Sequence, residues 1–428
     1  MTIKDNKKYS SPSHLVEGGC IACHDCDFLH RVIRVPGGGK ALCSRCGAVL
    51  YRHIPRTIEK ALALNLAALM LLIMTNVFPF MSLKLSGRIE ETLFISGVFA
   101  LYRQGMGEVA VLVFLTSILF PFMTIAGMLY LLFPMTFGYR PWKTGRVYRM
   151  VKAVTPWSLT AVFMLGVLIA FVKLLDLATI IPGISLYSFL GLMVVLTAAQ
   201  ANLDTCVVWP PMQFAPGGKK SGATAAEQGL IACHTCALLV PETHLSGYGQ
   251  NDCPRCGTPL HSRKINSLNR TWALIAAASL LFIPANIYPV MTVIQLGREY
   301  PNTILSGVIH LIEGGMWILA FIIFFASIMV PVLKLIVLSF LLITVKKKSL
   351  WRSRDRTLLF RVTEIVGAWS MVDIYVVAIL TGLVNFGTLS TIQPGIGVAF
   401  FGAVVVMTLF AAHSFDPRLI WDNMKGVK

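Results

Sequence analysis

The sequence predicts an all-α polytopic membrane protein built as a tandem parallel repeat, each half a cytosolic zinc ribbon followed by a four-helix transmembrane bundle. Three observations carry this prediction. Hydrophobic residues fill 56% of the 428 positions and charged ones only 13%, giving a mean hydropathy of +0.71, far above that of soluble domains. Eight stretches reach the length of about 20 apolar residues that a membrane helix needs, at roughly 61–82, 108–133, 157–180, 184–203, 271–291, 316–344, 367–388 and 396–413. The cysteine phrase "CIACHDC" at 20–26 returns as "LIACHTC" at 230–236.

The first 60 residues are polar, charged and cysteine-bearing, without the apolar core or small-residue cleavage site of a signal peptide, so the N-terminus is expected to stay in the cytosol. Segments 1–60, 134–156, 204–270, 345–366 and 414–428 hold 31 of the 37 Lys and Arg residues, which by the positive-inside rule places both termini and both cysteine ribbons on the cytosolic side. The formal charge of +17 therefore lines membrane edges, as topology and anionic headgroups require, and nucleic acid is not an expected partner.

The repeat can be checked residue by residue. An offset of 210 carries Cys23, Cys26, Cys43 and Cys46 onto Cys233, Cys236, Cys253 and Cys256, Asn76 and Pro79 onto Asn286 and Pro289, and Pro121 onto Pro331. From the following loop onward an offset of 212 carries Trp157 onto Trp369, Pro182 onto Pro394, Asp204 onto Asp416 and Trp209 onto Trp421. Four crossings return the chain to its starting side, so the halves insert in the same orientation about an axis along the membrane normal. The chain divides into a first ribbon (1–60), a first bundle (61–213), a flexible Gly-, Ala- and Lys-rich linker (214–229), a second ribbon (230–270), a second bundle (271–413) and a cytosolic tail (414–428).

Each ribbon has the spacing CxxC, sixteen residues, CxxC expected of a four-cysteine zinc site. Soft thiolates on two knuckles make the tetrahedral set that zinc prefers, and Gly47 and Gly257 follow the second knuckle where tight turns are needed. A redox CxxC pair or rubredoxin-like iron remains the rival reading. Four ligands leave no open position for catalysis, so each ribbon is expected to be a clip that stiffens the entry to its bundle or docks a neighbour. Cys20 aligns with Leu230 and is spare; Cys206 reads as packing.

Ionisable residues inside membrane segments are costly and point to function. Lys334, in "IMVPVLKLIV", lies about 11 residues, or roughly 16 Å, inside the sixth helix, and Asp373, in "WSMVDIYVV", about 6 residues, or roughly 9 Å, inside the seventh. With its long stem Lys334 can pair with Asp373. The first half has Thr124 and Ala161 at these positions and carries instead Lys173 and Asp176, three apart on one helix. Pro121 and Pro331 are expected to bend the second helix of each half. Segments 83–107 and 292–315 are too long for turns and are expected to form amphipathic helices on the outer surface.

The cysteine pairs together with "CPRCGTPL", "NSLNRTWAL", "PANIYPVM", "TILSGVIHL", "FASIMVPVLKLIV", "VGAWSMVDIYVVAIL" and "DPRLIWD" resemble the paraquat-inducible protein A family over nearly the whole chain, including its member in the lipophilic envelope-spanning tunnel system. The resemblance implies a bacterial inner-membrane protein with two tetraspanin-like bundles and a lipid-sized pocket. It further implies a periplasmic MCE-domain protein as partner, to whose tunnel the membrane component gives lipid or from which it takes it. Conspicuous polar positions of the family fall on Lys334, Ser370, Asp373 and Lys173, whereas Ala161 stands where relatives often carry an acid. The expected function is thus non-enzymatic transport of a phospholipid or other lipid, without an ATPase because no GxxxxGK[ST] motif occurs. The competing readings are an anchor that only seats the tunnel and a membrane redox protein using its CxxC cysteines.

Overall fold

The computed structural model describes residues 19–33, 35–85, 88–175, 179–209, 223–244, 252–295, 298–383 and 390–422. Among them are eight helices long and apolar enough to cross a membrane, four in each half. The first ribbon pairs β1 (Cys20–Ala22) with β2 (Leu29–Arg31) and β3 (Lys40–Leu42) with β4 (Val49–Arg52). The first span is α1 (Thr57–Val77). Its exit leads into a hairpin, β5 (Met81–Leu85) and β6 (Arg88–Thr92), and then a short helix, α2 (Ser96–Arg103).

The second span joins α3 (Gly107–Phe114) to α4 (Phe120–Thr136) through a π-helical turn at Leu115–Leu119. The third joins α5 (Thr144–Val154) to α6 (Thr160–Leu175), and after β7 (Thr179–Pro182) the fourth is α7 (Ile184–Ala201).

The second half repeats the order. Its ribbon pairs β8 (Leu230–Ala232) with β9 (Leu239–Pro241) and closes with an Asp252–Pro259 bridge. There follow α8 (Ser267–Ile287), β10 (Met291–Gln295), β11 (Arg298–Asn302), α9 (Ile304–Glu313), α10 (Trp317–Phe324), a π-helical turn at Phe325–Met329 and α11 (Val330–Lys346). The seventh span joins α12 (Ser353–Val366) to α13 (Val372–Leu383) through a 3₁₀ stretch at Gly367–Met371. Finally come β12 (Ser390–Pro394), α14 (Ile396–Ser414) and α15 (Leu419–Asp422).

Pro121 and Pro331 do bend their helices, and the bend has a definite form. Each proline lacks a backbone N–H and its ring crowds the preceding turn, so the helix widens just before it: the N–H of Phe120 reaches back to the carbonyl of Leu115, and that of Val330 to Phe325. The segments expected as outer amphipathic helices are helical only in their second part. The strand pairs β5–β6 and β10–β11 come first, and each gains a third strand, β7 or β12, from the loop before its half's last span. That third partner is distant in sequence, so no local pattern could announce the sheet.

Phe163 on α6 and Tyr375 on α13 are repeat equivalents, and their rings meet each other at 5.0 Å. The local two-fold axis therefore passes between the third and seventh spans, as a parallel repeat requires. Matching staples close each half: the Thr57 hydroxyl donates to Asn202 O at 2.7 Å and accepts from the Asp204 N–H at 2.9 Å. Ser267 does the same with Ser414 O and the Asp416 N–H at 2.8 and 3.0 Å. Residues 214–222 of the expected linker lie outside the described residues, but 223–229 are bound to the first ribbon, where Leu29 N–H donates to Ala223 O and Ala225 N–H to Asp27 O.

Candidate functional site

The two cysteine sets close as their spacing predicts. Sulfurs of Cys23 and Cys46 stand 3.4 Å apart, Cys26 and Cys43 3.5 Å, Cys233 and Cys256 3.4 Å, and Cys236 and Cys253 3.6 Å. In each group all four sulfurs are buried and lie within 4.8 Å of one another. Zinc–thiolate bonds of about 2.3 Å at tetrahedral angles put sulfurs roughly 3.8 Å apart, so each cage fits a four-coordinate metal ion after a shift of a few tenths of an ångström. Gly47 and Gly257 turn their knuckles in the left-handed region at φ 73° and 68°. Asp27 and Ala237 do so for the first knuckles at 61° and 56°, without glycine's freedom. Cys20 is half-buried on β1 and outside the cage; the side chain of Cys206 lies outside the described residues.

Of the two roles expected of the ribbons, docking on a neighbour is the one their contacts show. The sulfur cage of each ribbon packs on the other half, while Arg263 and Lys264 of the second ribbon also bind the end of their own half at Asp422, Asp416 and Phe415. The sulfur cage of the first ribbon shares a core with Leu338, Leu341 and Leu342 of α11, Phe360 of α12, Phe415 and Trp421. Arg361 on α12 donates to Asp25 at 2.6 Å and to the Cys46 sulfur at 3.3 Å, a charge-assisted bond to a ligand atom. Arg45 lies over the Trp421 ring at 4.6 Å, and Trp421 donates to the Thr357 hydroxyl at 2.9 Å.

The second ribbon shares its core with Met128 and Leu131 of α4, Tyr148 and Val151 of α5, and Trp209. There Arg149, the repeat equivalent of Arg361, donates to Gly257 O, and Lys152 to His234 O. Gly145 lets α5 approach so closely that a Cβ would fall 2.7 Å from Cys256 O. Between the ribbons, Arg263 holds both Asp27, at 3.2 Å, and Asp422, at 2.6 Å. Burial pushes the Asp27 carboxyl above the usual carboxylate range, and the Arg263 and Arg418 guanidiniums draw it part of the way back.

The polar residues of the second bundle gather at the break in the seventh span. Lys334 is 2% exposed, and its ammonium has no hydrogen-bond partner among the described residues. It packs against Gly367, where a Cβ would come within 2.6 Å of Nζ. Ser370 donates to Gly367 O at 2.9 Å inside the same 3₁₀ stretch, and Asp373, 9% exposed, opens the following helix. The ion pair expected between Lys334 and Asp373 is not closed. The lysine stem ends at Gly367, on the ribbon side of Asp373, in the direction in which a long cationic chain shortens its distance to water. Asp176 and the side chain of Lys173 lie outside the described residues.

Away from the ribbons the halves differ. Gly97 on α2 rests on α13 so tightly that a Cβ would meet Ala378 O at 2.7 Å, whereas among the described residues nothing lies within 4 Å of the same position on Gly307 of α9. A cleft there is lined by Phe94, Gly97, Ser117, Phe163, Ala378 and Gly382. Tyr375, fully buried behind Phe163, donates to the Thr116 hydroxyl at 2.8 Å and so ties the seventh span to the π-helical turn of the second. No repeat signal announces this tie, since Phe163, the repeat equivalent of Tyr375, carries no hydroxyl.

Known proteins fit this arrangement. The family model for paraquat-inducible protein A matches residues 58–213 and again 268–425, one match per four-span unit with the ribbons outside both. The chain is 34% identical over 406 residues to intermembrane transport protein PqiA of Escherichia coli (strain K12), covering 94% of this chain and 95% of that protein. It is 29% identical to lipophilic envelope-spanning tunnel protein A of the same strain, covering 95% and 92%. A probable intermembrane transport protein of Haemophilus influenzae is 26% identical, covering 94% and 95%. No solved structure matches the chain. A repeat recognised separately in each half, with relatives aligned almost end to end, settles the kinship: the chain belongs to the paraquat-inducible protein A family.

Proposed function

We propose that this protein is the inner-membrane component of an MCE-type lipid transport system, passing phospholipid to or from a periplasmic MCE-domain tunnel. The single observation that carries the reading is Lys334, a lysine sealed in the second bundle with no hydrogen-bond partner among the described residues and with Ser370 and Asp373 on the adjoining broken helix. A membrane interior that only needed to hold together would not keep such a group. An amphiphile with a charged headgroup is the kind of substrate that such a site suits. The printed names of the relatives, intermembrane transport protein and envelope-spanning tunnel protein, agree with that role.

The ribbons hold zinc at Cys23, Cys26, Cys43 and Cys46 and at Cys233, Cys236, Cys253 and Cys256, in a closed structural role. Both ribbons and both termini face the cytosol, by the Lys and Arg distribution, and the sheets built on β5 and β10 face the periplasm and the tunnel. The protein has no enzymatic step of its own. Lys173 and Asp176 are assigned the same transport role in the first half, on their sequence alone.

The test is photocrosslinking in cells from a benzophenone amino acid at Tyr375, whose ring abuts cleft-lining Phe163, with Ile336, 59% exposed on α11, as the lipid-facing control. Labelled phospholipid is expected to crosslink at 375 several-fold above the control, and Lys334→Met is expected to remove the excess. Labelling equal at both positions and indifferent to Lys334→Met would make the polar cluster structural and the protein an anchor.

A further inference from the structure

The helices that enclose Lys334 meet the first ribbon at their other ends. Lys334 is on α11, and Leu338, Leu341 and Leu342 continue its face toward the ribbon side, one and two turns on. These three leucines share a buried core with the four ligand cysteines of the first ribbon. Gly367, on which the ammonium rests, ends α12, and Arg361, six residues earlier on that helix, is bound to Asp25 and to the Cys46 sulfur. The ribbon thus touches both walls of the Lys334 pocket from outside it, on one wall through packing and on the other through a charged hydrogen bond. Roughly 9 Å of uninterrupted helix connects Arg361 to Gly367.

We propose that the first ribbon is a metal-built clamp on the second bundle, in which Arg361 is a positioning residue that sets α12, and through it Gly367, against Lys334. By the repeat, the second ribbon clamps the first bundle through Arg149 and Gly145 of α5. The two clamps are unequal in what they govern. The first bundle has Thr124 and Ala161 where the second has Lys334 and Asp373, so only the first ribbon governs those charges. The role of this clamp in transport rests on the function proposed above; the clamp itself does not.

The test is amide hydrogen exchange on the full-length protein in lipid nanodiscs, with metal content measured on the same samples. Arg361→Ala and Asp25→Ala each break a charge-assisted bond, the kind whose loss corresponds to about tenfold or more, and peptides spanning 364–373 are expected to exchange about that much faster. Peptides spanning 155–163 stay at the wild-type rate, and two metal ions per chain are retained. Arg149→Ala is expected to do the reverse, loosening 155–163 and sparing 364–373. Should Arg361→Ala fail to fold, Asp25→Asn is read in the same way. The proposal is overturned if 364–373 keeps its wild-type rate in these variants, or if each ribbon loosens the bundle adjacent to it in sequence. No lipid substrate enters the measurement, so a failure of the transport reading would leave its outcome unchanged.

Discussion

Lys334 is held where it is by the absence of a side chain. A methyl group at Gly367 would press on Nζ at 2.6 Å. Because the flexible end of the Lys334 chain can shift aside, Gly367→Ala is expected to cost about 1 kcal/mol, the low end of overpacking, and the double variant with Lys334→Ala to recover most of it, as thermal unfolding of the purified protein would measure. Recovery distinguishes a local collision from a general need for glycine at the helix break. At this scale the sequence is legible where residue type or spacing is itself unusual: the eight ligand cysteines, and Lys334 and Asp373 in apolar surroundings. Gly367 and Arg361 were not legible. A glycine in a membrane helix is common, and Arg361 counts among the basic residues that topology alone requires, so its bond to Asp25 is visible only once the halves are folded together.

Among the elements, α2 and α9 share their origin and part company in their surroundings. Glycine in a helix costs roughly 0.5–1 kcal/mol relative to alanine, so Gly307→Ala, which meets open space, is expected to stabilise by about that much. Gly97→Ala drives a methyl into the Ala378 carbonyl and is expected to destabilise instead. Opposite signs at equivalent positions, read from melting temperatures of the two variants, would confirm that only the first half's helix is seated on its neighbour. Two effects of the same sign would refute it. Boundaries of six spans followed hydropathy, because apolar length is a direct requirement of the bilayer, whereas the third and seventh helices begin already at Thr144 and Ser353, in polar amphipathic stretches expected as loops. Strands β5 and β10 escaped notice because pairing, not periodicity, makes them, and one partner of each is far away in the chain. The prolines announced bends but not the π-helical turns that accommodate them.

The whole molecule is held together by exchange. Each ribbon's sulfur cage belongs by sequence to one half and packs on the other, and the two third-span helices meet on the local axis at Phe163 and Tyr375. The repeat was readable from fixed offsets; the exchange was not, since an offset says which residues correspond and nothing about whose they touch. A half made alone would leave its ribbon without a seat and its bundle without a cover. Severing the chain between Gly217 and Gly218 and producing both pieces together is therefore expected to yield a stable one-to-one complex, with neither piece soluble in detergent as a folded monomer by size-exclusion chromatography. Two separate chains, each a single ribbon with four spans, would be joined by these same contacts into an isologous pair that trades ribbons. In one chain the pair is permanent and the two bundles are free to differ, as they do where Thr124 and Ala161 stand opposite Lys334 and Asp373.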